Sequence, residues 1–400
     1  MAVAGVMSGT ACTRWGQPGP VTPTIAPLSS IYVDPTTGSD TSGNGSSTSP
    51  YKTLTKAVAV LTSSKALSPT GVTIYLSNGD YVAANGEKFP IVIPTAVTIT
   101  GTNYGTGPTS GTFINGLGED TIFEQLVHAP PHTAYATLEV VPPGSLSLSD
   151  VYVGASKISL PGSQAFYASL DDIGTVSAAT SAFAAGIVSS LRNINGVFVP
   201  GGSFTCGSCA IHGNDIGIAA FSVPFPTLPP SQPSPSPPSI TLNRPSSPLS
   251  LIAAKVVDIL TDGSANIDVS GSTFEQAEYA YADAFTPIVL TTVRGGIDFG
   301  GGVASSTGGN TFIGARLSEL FVIRRYETIA AYGDAWNPNQ QGANGSGLYP
   351  AMHIFGSSAT GRNVTIRGDA LGSTVSVGPP PVPTPTPSVS PSISPTSSPT

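Results

Sequence analysis

From Gly71 onward the sequence is a series of short segments in which apolar and polar residues alternate, separated by Gly, Pro, Asn and Asp. A period of two places alternate side chains on opposite faces of an extended strand. Such segments recur from residues 72–76 to residues 363–366, with few helical patterns between them. Many short strands without intervening helices exclude a fold of alternating strands and helices. They leave a sandwich, a propeller or a β-solenoid.

Weak internal repeats favour the solenoid. Gly271-Ser-Thr-Phe274 and Gly309-Asn-Thr-Phe312 share a four-residue pattern, and Ile194-Asn-Gly-Val-Phe198 is a looser version of it. In a parallel β-helix each coil stacks on the last, so that inward Val, Ile and Phe residues bury a continuous core. Asn and Gly are expected at the corners, where the backbone needs a positive φ. The predicted fold class is therefore all-β, as a parallel β-helix.

One helix is predicted ahead of these strands. Leu54, Val58 and Leu61 repeat at i, i+4 and i+7 and form one apolar face. Ser49 is a suitable N-cap for this helix. We expect a helix over residues 50–67 that covers the open apolar end of the β-helix and blocks edge-to-edge aggregation.

The chain divides by composition into a body and two flanking segments. Residues 1–29 have no periodic pattern and are interpreted as a leader, and residues 30–378 as the β-helix domain. The proline-rich stretch 224–248 is expected to be a loop thrown out from one coil, rather than a linker between two blocks. Residues 379–400 are almost entirely Pro, Ser, Thr and Val, which predicts a disordered, solvated tail or linker.

The residues before Cys12 favour an exported protein. Small residues precede Cys12 as at the end of a bacterial lipoprotein signal, so Cys12 is a candidate lipid anchor; the alternative is a leader with a chance cysteine. Cys206-Gly-Ser-Cys209 is interpreted as a local disulfide or two buried thiols, because a zinc site needs two more ligands and a redox motif needs a helix. We expect an extracellular or cell-surface location.

The same composition excludes some classes of partner. Charged residues make up only 10% of the chain, and the net charge is −8 without a basic cluster. This argues against nucleic acid as a partner. The longest apolar runs are too short to span a bilayer, so no transmembrane segment is expected.

Several motifs resemble one known family. Residues 31–40 (Ile-Tyr-Val-Asp-Pro-Thr-Thr-Gly-Ser-Asp) and 45–57 resemble the opening of the DUF1565 family of pectate-lyase-like β-helix proteins. Residues 85–101 resemble its second signature, and residues 308–314 and 336–342 its closing coils. The resemblance implies a right-handed β-helix in an extracytoplasmic setting. The family's biochemical role is not established, so the resemblance supplies no catalytic residues.

Enzymes with this fold cleave polysaccharides, and their chemistry needs carboxylates near a basic residue. A lyase uses acidic Ca²⁺ ligands and a Lys or Arg that takes a proton, and a glycoside hydrolase uses spaced carboxylates. Asp171 and Asp172 are adjacent carboxylates, and Arg192 follows them; these three are the catalytic candidates. Most basic residues in the chain are nevertheless expected to be surface charges.

Two further features are candidates for binding. Asp34, Asp40 and Asn44 lie in an oxygen-rich turn that would hold Ca²⁺, although such turns are commonly just solvated. No cofactor is otherwise required. Aromatic side chains would form a sugar-binding face if they are exposed, although in stacked coils they commonly pack on their neighbours. The candidates are Tyr51, Tyr75, Tyr81, Tyr104, Tyr279, Tyr281, Trp336 and Tyr349.

Two hypotheses from different classes follow. The first is a non-catalytic exported β-helix module that serves surface architecture, adhesion or glycan binding, with a polysaccharide or a cell-envelope glycan as its partner. The second is a polysaccharide lyase or glycoside hydrolase that acts in the lateral groove of the β-helix. Convergence of Asp171, Asp172 and Arg192 favours the enzyme, whereas scattered charges beside an aromatic strip favour binding.

Overall fold

The computed structural model describes the body of the chain with internal gaps. The described residues are 29–63, 71–104, 110–119, 134–155, 166–185, 194–212, 215–221, 238–243, 250–253, 257–261, 265–275, 279–283, 296–300, 306–313, 318–322, 327–331, 334–336, 352–354, 364–368 and 377–378. The predicted leader up to residue 28, with Cys12, lies outside them. So does the predicted tail, 379–400.

Three parallel sheets build the molecule, and the first of them, sheet I, has twelve strands. With strands numbered in chain order, its members are β1 (Ser30–Val33), β2 (Val72–Leu76), β5 (Ala96–Thr100), β9 (Ser145–Ser149), β12 (Thr175–Ala179), β15 (Ser203–Gly207), β18 (Ser239–Asn243), β21 (Asn266–Val269), β24 (Ile297–Gly300), β27 (Glu327–Ala331), β30 (Val364–Gly368) and β31 (Val377–Gly378).

Sheets II and III have nine and ten strands. Sheet II comprises β3 (Gly79–Tyr81), β6 (Thr112–Asn115), β10 (Tyr152–Ala155), β13 (Ala182–Ala185), β16 (Ala210–His212), β19 (Ser250–Ala253), β22 (Ser272–Glu275), β25 (Thr311–Ile313) and β28 (Ala335–Trp336). Sheet III comprises β4 (Ile91–Ile93), β8 (Ala134–Val140), β11 (Phe166–Asp172), β14 (Ile194–Val199), β17 (Ile216–Ala220), β20 (Val257–Thr261), β23 (Tyr279–Asp283), β26 (Ser318–Val322) and β29 (Met352–Ile354). The tenth strand of sheet III is the short β7 (Gly118–Glu119), which pairs antiparallel with β8.

From β2 to β29 the chain visits sheets I, II and III in turn, and each strand pairs in parallel with its equivalent in the next coil. This is the predicted right-handed parallel β-helix, with the hand that nearly all parallel crossovers take. Equivalent inward residues are paired, so one apolar column runs the length of the core. In sheet I that column comprises Val72, Val97, Leu146, Val176, Phe204, Ile240, Ile267 and Ile297.

The internal repeat is confirmed for two of its three copies. Phe274 in β22 and Phe312 in β25 are paired in adjacent coils of sheet II, and their rings stack with centroids 4.8 Å apart. The third copy was misidentified, because Phe198 lies in β14 of sheet III and pairs with Asp171 and Ala219. A shared Phe therefore marks equivalent positions only when both residues lie in strands of the same sheet.

The corner between sheets I and II has a left-handed residue in several coils. Asp150, Thr180 and Ser208 have φ values of 57°, 45° and 62°, and each directly follows a strand of sheet I. Gly271, with φ 60°, has the equivalent position after β21. Of these four corners, only the one with Gly271 has a residue type expected there. The other three hold Asp, Thr or Ser in the left-handed region of φ and ψ, which is unfavourable for residues with a side chain.

A single α-helix, α1 (Leu54–Ser63), is found among the described residues, and it packs on β1, β2 and β4. Its buried residues include Leu54, Val58 and Leu61, the predicted apolar face. No helix in the described part of the chain has the length and hydrophobicity needed to cross a membrane.

The predicted N-cap at Ser49 and the predicted helix start at residue 50 are wrong, because the helix begins at Leu54. Tyr51 forms a bridge with Val33 at the end of β1, which keeps residues 49–51 outside the helix. The N-cap is Thr53, whose Oγ1 accepts the backbone N–H of Lys56 at 3.0 Å. The carboxylate of Glu87 accepts the N–H groups of Leu54 and Thr55 at 2.6 and 2.9 Å, so it satisfies first-turn donors that have no partner within the helix.

Two predictions about the middle of the chain can be tested directly. The loop predicted at 224–248 is interrupted by β18, because Ser239–Asn243 alternates apolar and polar residues and pairs with β15 and β21. The remainder of that stretch, except residue 238, lies outside the described residues. Cys206 and Cys209 form a local disulfide, which confirms one of the two favoured readings.

Candidate functional site

The outer face of sheet I from β2 to β18 is an uncharged surface of small hydroxyl residues, here called the hydroxyl face. Its strands alternate strictly, with apolar residues inward and Ser or Thr predominating outward. None of these strands contains Asp, Glu, Lys or Arg. The outward hydroxyl residues are Thr73, Thr98, Thr100, Ser145, Ser147, Ser149, Thr175, Ser177, Ser203, Thr205, Ser239 and Thr241.

One row of these hydroxyls is continuous over six coils, and we call it the central row. Its members are in register from strand to strand and are Thr73, Thr98, Ser147, Ser177, Thr205 and Thr241. Neighbouring strands lie about 4.8 Å apart, so the row presents a hydroxyl at that interval along the helix axis. Ser147 and Ser177 at its centre are exposed, and the other four are half-buried.

An aromatic pair lies at the start of this face. Tyr32 of β1 and Tyr75 of β2 are in register, and their rings stack at 5.1 Å with an interplanar angle of 20°. Tyr75 is 41% exposed and is the one large hydrophobic side chain classed as exposed among the described residues. The same row continues into Thr100 and Ser149, so the aromatic pair and the hydroxyl face form one surface.

Short turns border the middle of the hydroxyl face on both sides. Sheet I is entered through residues 141–144, 173–174 and 200–202, and it is left through two-residue corners at 150–151, 180–181 and 208–209. Asp150 is the one charged residue in these turns. The face is therefore open over β9, β12 and β15, and a flat ligand would meet no wall there.

Acidic residues mark the far end of the face. Asp268 of β21 continues the central row after Thr241 and is in register with Asp298 of β24. Burial raises the pKa of Asp268, and the neighbouring charge of Asp298 raises it further. Asp298 is buried and accepts the backbone N–H of Gly300 at 3.0 Å. The surface thus changes from neutral to acidic at one end.

The two predicted catalytic aspartates do not share a groove. Asp171 and Asp172 are consecutive residues of β11, so their side chains point to opposite faces of sheet III. Asp172 pairs with Val140 of the inner column and is fully buried, whereas Asp171 pairs with Glu139 on the outer face. Arg192 lies outside the described residues. Catalysis by these residues stays a prediction, and the aspartate pair lacks the convergence that would favour an enzyme.

Sequence reasoning missed the pairing of Glu139 with Asp171. The two carboxylate residues are in adjacent coils of sheet III and in register. Their backbones are therefore about 4.8 Å apart. Glu139 is 2% exposed and Asp171 is 1% exposed. The signal in the sequence is weak, since the register of two strands 30 residues apart cannot be read from either alone.

The predicted calcium ligands act as caps for backbone turns. Asp34 accepts the N–H groups of Thr36 and Thr37 at 2.8 and 2.9 Å, and Asn44 accepts that of Ser46 at 3.0 Å. Asp40 accepts the backbone N–H groups of residues 52 and 53 at 2.8 and 3.0 Å.

These hydrogen bonds explain why Asp and Asn occur at these positions, and the explanation needs no metal ion. Among the described residues no group of three or more His, Cys, Asp or Glu side chains has the geometry to hold an ion. Calcium binding at this turn stays a prediction.

The aromatic candidates separate clearly by exposure. Tyr51 and Tyr81 are buried, and the Tyr81 hydroxyl donates to the backbone oxygens of Val33 and Ser77. Tyr104 is half-buried and lies off sheet I. Tyr75 remains, joined by Tyr32, which the sequence did not single out. The side chains of Tyr279, Tyr281 and Trp336, and all of Tyr349, lie outside the described residues.

Comparisons with known proteins identify one family over part of the chain. Residues 36–137 match the model of the family described as "Protein of unknown function (DUF1565)", which confirms the resemblance for the opening coils. The motifs at 308–314 and 336–342 lie beyond the matched segment. No curated protein sequence matches the chain.

Solved structures with similar chains include two enzymes. The GH136 lacto-N-biosidase from Eubacterium ramulus is 9% identical over 84% of this chain, with a TM-score of 0.35, and the chain covers 64% of that enzyme's length. Pectate lyase Pel9A is 13% identical over 89% of this chain and 78% of its own, with a TM-score of 0.34.

Proposed function

We propose that this chain, whose residues 36–137 match the DUF1565 family, is an exported, non-catalytic module that binds a neutral polysaccharide on the hydroxyl face. The observation that carries the proposal is the continuity of the stacked pair, half-buried Tyr32 and exposed Tyr75, with an open, uncharged field of hydroxyls. An aromatic ring offers an apolar surface for a sugar ring, and hydroxyls donate and accept hydrogen bonds with sugar hydroxyls.

Because the strands of this face carry no charge, we expect the face to bind neutral polysaccharides in preference to acidic ones. An acidic polymer gains nothing from a surface without Lys or Arg, and Asp268 and Asp298 at the far end would repel it. A neutral polymer loses little free energy on leaving water, because the hydrogen bonds between its hydroxyls and water are replaced by hydrogen bonds to hydroxyls of the protein. The proposed ligand is therefore a neutral glycan.

Export is supported by the local disulfide between Cys206 and Cys209. Disulfides form and persist in oxidising compartments and are rare in the cytosol. We propose on this ground that the protein acts outside the cytoplasm, on the cell surface or in the medium.

Retention on insoluble and immobilised polysaccharides tests the proposal. The panel contains cellulose and chitin as neutral polymers, and polygalacturonate and alginate as acidic ones, each with Ca²⁺ and with a chelator. We expect retention on a neutral polymer, unchanged by chelation, and loss of retention in the double variant Tyr32→Ala and Tyr75→Ala. The matched control is Tyr104→Ala, which removes a half-buried tyrosine away from the face.

The same samples are assayed for unsaturated products and for reducing ends. Retention of the double variant at the wild-type level would contradict the site. Steady product release would contradict the non-catalytic assignment, and its loss on chelation would support the predicted calcium turn.

One observation favours an enzyme as the second candidate. Glu139 and Asp171 are in register on adjacent coils, so two carboxylate residues lie side by side on one face of sheet III, and glycoside hydrolysis uses such a pair of carboxyl groups. Both are nearly inaccessible, which weighs against this role. If reducing ends are released and Glu139→Gln abolishes the release, the hydrolase is the correct assignment.

A further inference from the structure

We infer that the bound polymer is a β-1,4-linked neutral glycan that lies along the helix axis, across the strands of sheet I, with the central row as its track. This inference rests on the proposed function and adds the orientation, the length and the linkage class of the ligand. Its basis is the register of the hydroxyl face rather than the aromatic pair alone.

Register determines the first step. The pairs Thr98–Ser147, Ser147–Ser177 and Ser177–Thr205 join consecutive coils without an offset, and Thr241 continues the row. Equivalent hydroxyls therefore repeat at about 4.8 Å along the axis. An extended β-1,4-linked glycan advances by nearly this distance per sugar ring, so that each ring meets one coil.

The alternative direction, along a strand, offers a much shorter track. The strands of sheet I in this region have only five residues, so at most three outward side chains lie along any one of them. The bordering corners then turn away into sheet II. Along the axis the central row from Thr73 to Asp268 covers six strand steps, or about 29 Å.

Flatness determines the linkage class. Small outward residues and short bordering turns give a surface without a groove at β9, β12 and β15. A β-1,4-linked chain is a flat ribbon with its hydroxyls at the edges and apolar ring faces above and below. Tyr75 lies in the row of outward residues beside the central row, so its ring would contact the ribbon from the side at one end. The hydroxyls of Ser147 and Ser177, which are exposed, would bond to the ribbon further along.

Charge determines where the track ends. Asp268 takes the next position of the central row, and Asp298 lies beside it in the following coil. A neutral ribbon that extends past Thr241 gains no further hydroxyls from the described part of sheet I, because β24 carries Asp298 at the next position of the row. The affinity should therefore rise with ligand length and then reach a plateau.

Calorimetric titration with cellobiose and with cello-oligosaccharides up to the octamer tests the inference, on wild type and on Ser177→Glu. Ser177 is three strand steps from Tyr75, or about 14 Å. We expect affinity to increase with length in the wild type. In Ser177→Glu the octamer should bind about tenfold more weakly, or about 1.4 kcal/mol, while cellobiose binding at the tyrosine pair is unchanged. Asn103→Glu adds the same charge at an exposed site off the face and should change neither.

The outcomes separate the two proposals. If Tyr32→Ala with Tyr75→Ala abolishes binding but Ser177→Glu has no effect on any length, the glycan site is correct and the axial track is wrong. The same conclusion follows if affinity does not change with length. If neither the tyrosine variant nor Ser177→Glu alters binding, both proposals fail. Ser147→Glu repeats the test one coil closer, and circular dichroism verifies that each variant is folded.

Discussion

Asp172 is a carboxyl group inside an apolar core. It lies on the inner face of β11, in register with Val140, and is fully buried. Burial raises its pKa well above the ordinary value, and the nearby N–H of Gly174 offsets only part of that shift. Folding therefore favours the protonated form of this side chain.

A pH-dependent stability follows from this shift. Between the unfolded-state pKa of about 3.9 and the raised value in the folded state, the folded protein binds more protons than the unfolded chain, so stability falls as the pH rises. We expect Asp172→Asn to remove this fall. The variant should be more stable than wild type at pH 8 and equal to it at pH 3.5, in urea unfolding followed by circular dichroism. A constant difference across the pH range would show that another property of the substitution is responsible.

Thr180 carries backbone strain at the corner after β12. Its φ of 45° is unfavourable for a β-branched residue, and the equivalent corner after β21 holds Gly271. We expect Thr180→Gly to stabilise the protein by about 1 kcal/mol, because glycine adopts this conformation freely. The control Thr175→Gly, on an exposed strand position of the same coil, should destabilise by about 0.5–1 kcal/mol. Equal effects of the two substitutions in urea unfolding would contradict the strain argument.

Single residues also show where sequence reasoning stops. The sequence suggests that Asp171 and Asp172 act together, but strict alternation separates them once β11 is known to be a strand. Exposure divided the tyrosines in a similar way, since Tyr81 is buried and Tyr75 is not. The residue type is visible in the sequence, whereas the face on which it lies depends on strand boundaries.

Among the elements, α1 depends on contacts distant in sequence for its first turn. Thr53 Oγ1 accepts the N–H of Lys56 and donates to Asp40 at 2.7 Å, and Glu87 accepts N–H groups from the same turn. The periodic apolar face predicted this helix correctly. Its N-terminus was predicted four residues too early, because the bridge between Tyr51 and Val33 is not visible locally.

The cap gives a prediction for this element. Thr53→Ala should destabilise the protein by about 1–2 kcal/mol, since it removes the N-cap and leaves one oxygen of Asp40 without its hydroxyl donor. Thr53→Ser retains the hydroxyl and should cost much less. Urea midpoints for the two variants measure the difference, and similar losses would indicate that the methyl group of Thr53, rather than its cap, is important.

The whole molecule is a stack in which each coil contacts its neighbours, so damage should remain local. Phe204 of β15 is fully buried and packs edge-to-face on Phe183, with centroids 5.7 Å apart. Phe204→Ala should cost about 3–5 kcal/mol locally. In hydrogen exchange measured by mass spectrometry we expect faster exchange in β12, β15 and β18, with β2 and β5 unchanged. A uniform increase along the chain would show that the coils unfold as one unit.

At this scale the fold was largely predictable, because a solenoid repeats the same information in every coil. The alternation in Ser145–Ser149, Thr175–Ala179 and Ser203–Gly207 establishes both the strands and their inner faces. The hydroxyl face is also present in those residues, but it becomes a surface only when the strands are placed side by side in register. That arrangement is a long-range property, which explains why the site was missed although its residues were visible.

The in-register stacking of sheet I has a consequence for how such a protein can change. Duplicating or deleting one coil would leave every remaining pair aligned and would lengthen or shorten the outer face by one rung. Reach along the axis can therefore be altered in equal increments, by gene segments of roughly thirty codons, while the backbone register of the sheets is kept. A family built this way can match surfaces of different extent using the same few residue types.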